Sequence, residues 1–125
     1  AGPIAACAKH RIAAARGGAH TGDIGAAVEA VAKKEKYGVI RELAGHGVGY
    51  HVHEDPYVPN YGKKGEGTLL KPGMILAIEP MFTLGKRYIE TLEDGYTIVT
   101  QDGSLAAHFE HTILITEGKP EILTT

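Results

Sequence analysis

The sequence predicts an α+β fold, two N-terminal helices followed by a mostly antiparallel sheet, and three observations carry that expectation. Residues 1–37 are filled with helix formers and a 3.6-residue apolar spacing. Beyond them the pattern changes to short apolar runs rich in β-branched residues. Those runs are broken by turn signals, Lys71-Pro72-Gly73, Glu93-Asp94-Gly95, Gln101-Asp102-Gly103 and Glu117-Gly118-Lys119-Pro120. Helices followed by strands is the α+β plan, and 125 residues suffice for one domain around one core.

The first helix is expected over residues 1–16, AGPIAACAKHRIAAAR, where Pro3 is tolerable in the first turn and Gly17-Gly18 stops the run. Thr21 is expected to cap the second, with Asp23 near its positive dipole end. Ile24, Ala27, Val28, Val31 and Ala32 then fall on one face, and the helix ends near Tyr37-Gly38. Strands are expected over 74–83, 86–92, 96–100, 108–116 and 121–123, and the Gly- and Lys-rich 61–68 reads as a loop. No internal repeat or coiled-coil heptad is present.

Composition excludes several classes of function. Thirteen Lys and Arg against fifteen Asp and Glu give a net charge of -2, and the cations are dispersed along the chain, unlike the basic stripe of a nucleic-acid binder. The single Cys7 forms no internal disulfide and suits a reducing cytosol. No apolar run approaches the ~20 residues that cross a bilayer, and no signal region opens the chain. A soluble, cytoplasmic protein is expected. Because Ala1 begins inside a helical run, the chain is also expected to be cut from something longer.

Five of the seven histidines fall in two segments, GHGVGYHVHEDP and AHFEHTI. Histidine supplies a nitrogen ligand or a proton carrier, so the clustering points to a site. His46 lies between Gly45 and Gly47, where missing side chains admit a close approach; the alternative is a turn with an exposed histidine. Glu79 interrupts the apolar run ILAIEPMF. A carboxylate there needs a cation or hydrogen bonds, or it faces water on an edge strand, which Pro80 also suits. Strand alternation puts His108, Glu110 and Thr112 on one face, either addressing a site or forming the polar side of a sheet.

Together His46, Glu79 and Glu110 offer one nitrogen and two carboxylates, a hydrolytic rather than a structural donor set, suited to Mn, Fe, Co or Zn. His53 is assigned to substrate contact or proton handling.

The blocks HTGDIGAAVEAVAKKEKYGVIREL, GHGVGYHVHEDPYVPNYG, LLKPGMILAIEPMF and EDGYTIVTQDGSLAAHFEHTILIT, in this order and spacing, resemble the type I methionine aminopeptidases and their pita-bread fold. The resemblance implies that His46 and Glu79 bind one metal and that Glu110 bridges two divalent ions. It implies that His53 contacts substrate near the scissile bond and that Val52 and Tyr96 line the pocket for the methionine side chain. The implied reaction is hydrolytic removal of the N-terminal methionine from nascent proteins.

The departures are informative. Such a site needs two further aspartates and a histidine from an N-terminal half, and Asp23, Asp55, Asp94 and Asp102 sit at a helix start, before Pro56 and in turns. Residues 1–125 therefore look like the C-terminal half of a pita-bread catalytic domain, lacking a half supplied by the parent chain or by another polypeptide. Val52 stands where a bulkier aromatic is frequent, Tyr96 where Trp is, and His108 where Gln is usual; a hydrogen-bonding role behind the ligands is expected of His108. Exposed apolar surface, and with it self-association, is expected where the other half packs. The alternatives are an Xaa-Pro peptidase fragment, against which the EPM and EHT triplets argue, and a pita-bread relative serving as a binding module.

Overall fold

The computed structural model describes residues 12–124. The first expected helix lies largely outside the described residues; residues 12–14 are helical and Gly17-Gly18 form the turn that stops them.

The second helix, α1 (Thr21–Glu35), is capped by His20 and not by Thr21, which is its first helical residue. Asp23 explains the shift: its carboxylate accepts the backbone N–H of His20 at 2.7 Å, closing the first turn from inside the helix. At the other end Lys36 takes a left-handed conformation (φ 59°), and the chain leaves before Tyr37. Ile24, Val28 and Ala32 are buried, so the face expected from their spacing is the one that packs.

Ten short strands follow: β1 (Gly38–Val39), β2 (Gly45–Gly47), β3 (Glu54–Val58), β4 (Ile75–Ile78), β5 (Met81–Thr83), β6 (Ile89–Thr91), β7 (Ile98–Thr100), β8 (Ala106–His108), β9 (His111–Leu114) and β10 (Glu121–Ile122). They form a five-stranded sheet in the order β10-β9-β4-β2-β3, a three-stranded sheet β1-β5-β8 and the β6-β7 hairpin, every pairing antiparallel. Ile24, Val28 and Ala32 of α1 join Leu76, Ile78, Phe82, Ile113 and Ile115 in one apolar core. Burial of the larger of these side chains, at about 1.5–3 kcal/mol each, is the main force joining helix to sheets.

Two expected strands are each divided. The run over 74–83 becomes β4 and β5, which belong to different sheets, and the chain crosses between them at Glu79-Pro80. The run over 108–116 likewise parts into β8 and β9, crossing back at Phe109-Glu110. Pro80 has no N–H for a ladder, which ends β4 there. The Phe109 N–H donates to the carbonyl of Pro80 at 3.0 Å, tying the two crossings together.

β1, β2 and β3 were not legible as strands. GHG is neither turn nor loop but β2, a central strand between β4 and β3. A Cβ on Gly45 would collide with the carbonyl oxygen of Ala77, and one on Gly47 with that of Asp55. The glycines therefore admit neighbouring backbone of the same sheet.

Candidate metal centre

Three side chains meet where the two larger sheets join. His46 projects from β2, while Glu79 and Glu110 occupy the two crossings. One ligand atom from each lies within 4.8 Å of the other two. Both crossing residues have left the strand ladders, so each side chain departs from regular alternation and turns into the junction. Glu79 is not on an exposed edge, because β4 is flanked by β9 and β2 and the Glu79 side chain is only 13% exposed.

The hydrogen-bond pattern orients the donors. His46 Nδ1 lies 2.9 Å from the carbonyl oxygen of Gly47. A carbonyl only accepts, so Nδ1 carries the hydrogen and Nε2 presents its lone pair. That Nε2 stands 3.0 Å from Glu79 Oε2. A lone pair and a carboxylate oxygen at this separation repel unless a cation, proton or metal, lies between them. The nearby carboxylate of Glu110 adds negative charge to the same point. One imidazole nitrogen and two carboxylates form a donor set that fits a divalent first-row ion with coordination positions left open.

The surroundings hold Glu79 in place. His108 Nε2 is 3.2 Å from Glu79 Oε1. Asn60, 1% exposed, donates its amide to the Glu79 backbone carbonyl at 2.8 Å and so fixes the crossing from behind. Asn60 was not legible in the sequence as part of the site, since an asparagine after Pro59 reads as a turn residue. Its signal was weak: an amide closing a strand, in a segment not legible as one.

His53 stacks its ring 4.0 Å from that of His46, at 37°. It borders a cleft of about 640 Å³ shared with His46, His51, Glu54 and Tyr57. An apolar hollow of about 210 Å³, lined by Met81, Ile89, Ile98, Val99 and Ala107, adjoins His108. Val52 and Tyr96 are 74% and 86% exposed, and among the described residues neither borders the cleft or the hollow. Tyr50, Leu84 and Leu105 are further large apolar side chains left in the open. Among the described residues no helix is long and apolar enough to cross a membrane.

The model of Metallopeptidase family M24 matches residues 4–117. Methionine aminopeptidase 1 of Bacillus subtilis is 51% identical over 110 residues, covering 88% of this chain and 44% of that protein. The crystal structure of methionine aminopeptidase from Thermotoga maritima superposes with a TM-score of 0.94 at 46% identity, over 97% of this chain and 49% of that one. Prolidase from Pyrococcus furiosus superposes with a TM-score of 0.71 at 26% identity, over 98% of this chain and 31% of that one. The chain thus spans about half the length, or less, of the relatives it matches. The fold is that of the pita-bread M24 proteins.

Proposed function

This chain belongs to metallopeptidase family M24, and on that premise we propose that it is the C-terminal half of a metal-dependent aminopeptidase that removes the N-terminal methionine from nascent proteins. The convergence of His46, Glu79 and Glu110 within 4.8 Å carries the reading. His46 offers Nε2, Glu79 offers Oε2, and Glu110 offers an exposed carboxylate, which leaves room for ligands from the missing half. Mn, Fe, Co and Zn all suit this donor set, and the complete enzyme holds two ions. A divalent ion bound there supplies a Lewis acid and acidifies water.

The chain's own residues bind and orient. His53, stacked on His46 and open to the cleft, is placed to contact the substrate beside the ligands and to accept or give a proton. Val52 and Tyr96, exposed in this chain, become walls of the methionine pocket when the N-terminal half covers them. That half, in the same parent chain or as another polypeptide, brings the remaining aspartates. Without it, the exposed Tyr50, Leu84 and Leu105 favour self-association. A cytoplasmic location belongs to the same reading, supported by the nascent-chain substrate it assigns and by the lone Cys7, which suits a reducing compartment.

The identity of 51% with a methionine aminopeptidase, against 26% with a prolidase, supports methionine removal over Xaa-Pro cleavage. Presence of all three ligand residues supports metal chemistry over a bare binding module. Calorimetric titration of the metal-free chain with Mn(II) tests the reading: saturable binding that Glu110→Ala abolishes is expected. Heat that survives Glu110→Ala would sink it.

A further inference from the structure

The Glu79 carboxylate lies between two imidazoles, with His46 Nε2 at 3.0 Å from Oε2 and His108 Nε2 at 3.2 Å from Oε1. Among the described residues the groups that approach its oxygens this closely are these two imidazoles, with no Lys or Arg. We propose that His108 is a positioning residue of the metal centre: its ring N–H holds one oxygen of Glu79 so that the other faces the cation together with His46 and Glu110.

The backbone makes this placement specific. His108 is the last residue of β8 and pairs with Met81 of β5, two residues beyond Glu79. The next residue, Phe109, donates its N–H to Pro80. The Pro80-Met81 side of the crossing is thereby fixed relative to the His108 backbone, and the ring needs no backbone movement to reach Oε1. A carboxylate that is 13% exposed has lost most of its water and needs donors in exchange. The Nε2–H tautomer of His108 supplies one to Oε1. With Oε1 held in this way, Oε2 is the oxygen that Glu79 would present to a cation. The His108 side chain itself is 50% exposed, so it contributes little to the core and can be substituted without loss of the fold.

This inference rests on the metal-centre reading, and two measurements separate their failures. The first is Mn(II) titration of wild type, His108→Ala and His108→Gln. Ala, which lacks a donor, is expected to weaken binding about 10- to 100-fold, the usual effect of losing a group that orients a ligand. Gln, whose amide donates, is expected to retain most of the affinity. The second reads the metal-free protein: long-range ¹H–¹⁵N spectra should show His108 Nε2 protonated, with a resonance that moves in Glu79→Gln. Wild-type affinity in His108→Ala, equal losses in the Ala and Gln variants, or an Nε2 without hydrogen would each overturn the proposal. A wild type that binds no Mn(II) would instead sink the metal-centre reading, while the ring spectra still decide whether His108 holds Glu79.

Discussion

His46 Nε2 lies 3.0 Å from Glu79 Oε2, although one residue sits in the middle of β2 and the other where the chain passes from β4 to β5. Two structural features produce the meeting. The pairing of His46 with Ala77 sets the imidazole beside the end of β4, and the departure of the chain at Glu79-Pro80 turns the carboxylate toward it.

Removing the imidazole should therefore remove the link between metal and stability. Free Mn(II) at 100 times its dissociation constant stabilises a folded protein by about 2.7 kcal/mol. Thermal melts of the wild type should rise with Mn(II), and those of His46→Ala should not move. A metal-dependent rise that persists in His46→Ala would show that the ion sits elsewhere.

Gly45 has a second test. A Cβ there meets the Ala77 carbonyl, so Gly45→Ala forces β2 away from β4. Overpacking of this kind costs about 1–3 kcal/mol, read as a lower urea midpoint, and it also displaces His46 from Glu79. An unchanged midpoint would mean that β2 and β4 are not packed this closely.

The shared core should respond in the ordinary way. Ile113 is 0% exposed at the centre of β9, and Ile113→Ala is expected to cost about 2–5 kcal/mol by chemical denaturation. Val52→Ala, at a residue 74% exposed, should stay within about 0.5 kcal/mol. Comparable losses at the two positions would contradict the burial described.

Asp102 gives the pH dependence. Its carboxylate accepts the backbone N–H of Lys86 at 2.9 Å and the N–H of Ser104 at 3.0 Å, tying the β5–β6 loop to the turn after β7. The Lys86 bond, with help from Ser104, holds its pKa down from 3.8 to about 2. A depressed carboxyl stabilises the folded state fully above its unfolded value and loses that contribution as pH falls through the folded one. The tie between the loops should thus be intact above pH 3.8 and released as pH approaches 2. Side-chain NMR titration reads the midpoint directly, and an Asp102 midpoint at or above 3.8 would refute the bonds described.

Much of the fold was written in local pattern. The helical face Ile24-Val28-Ala32 was legible because side chains separated by one helical turn share a face whatever they pack against. The turns at Gly73, Gly95 and Gly103 were legible too, since all three adopt positive φ, which glycine takes without strain. The residue types of the candidate metal centre, His46, Glu79 and Glu110, also stood out in sequence, because a carboxylate in an apolar run and a histidine between glycines are chemically conspicuous.

Tertiary structure decided the remainder. GHG has too little side chain to carry a strand signal, and its place in the sheet comes from the backbones of β3 and β4 on either side. Glu79-Pro80 and Phe109-Glu110 look like the interiors of continuous strands, because periodicity reports which face a residue occupies and not which sheet its neighbours join. The sequence by itself determined the helical face, the turns and the residue types offered to the candidate centre, each a property of a residue and its near neighbours. Only the tertiary structure determined that both carboxylates lie at crossings between sheets, with Asn60 bonded to the backbone carbonyl of Glu79 and His108 Nε2 beside its carboxylate, because such crossings are set by long-range strand pairing that no local window contains.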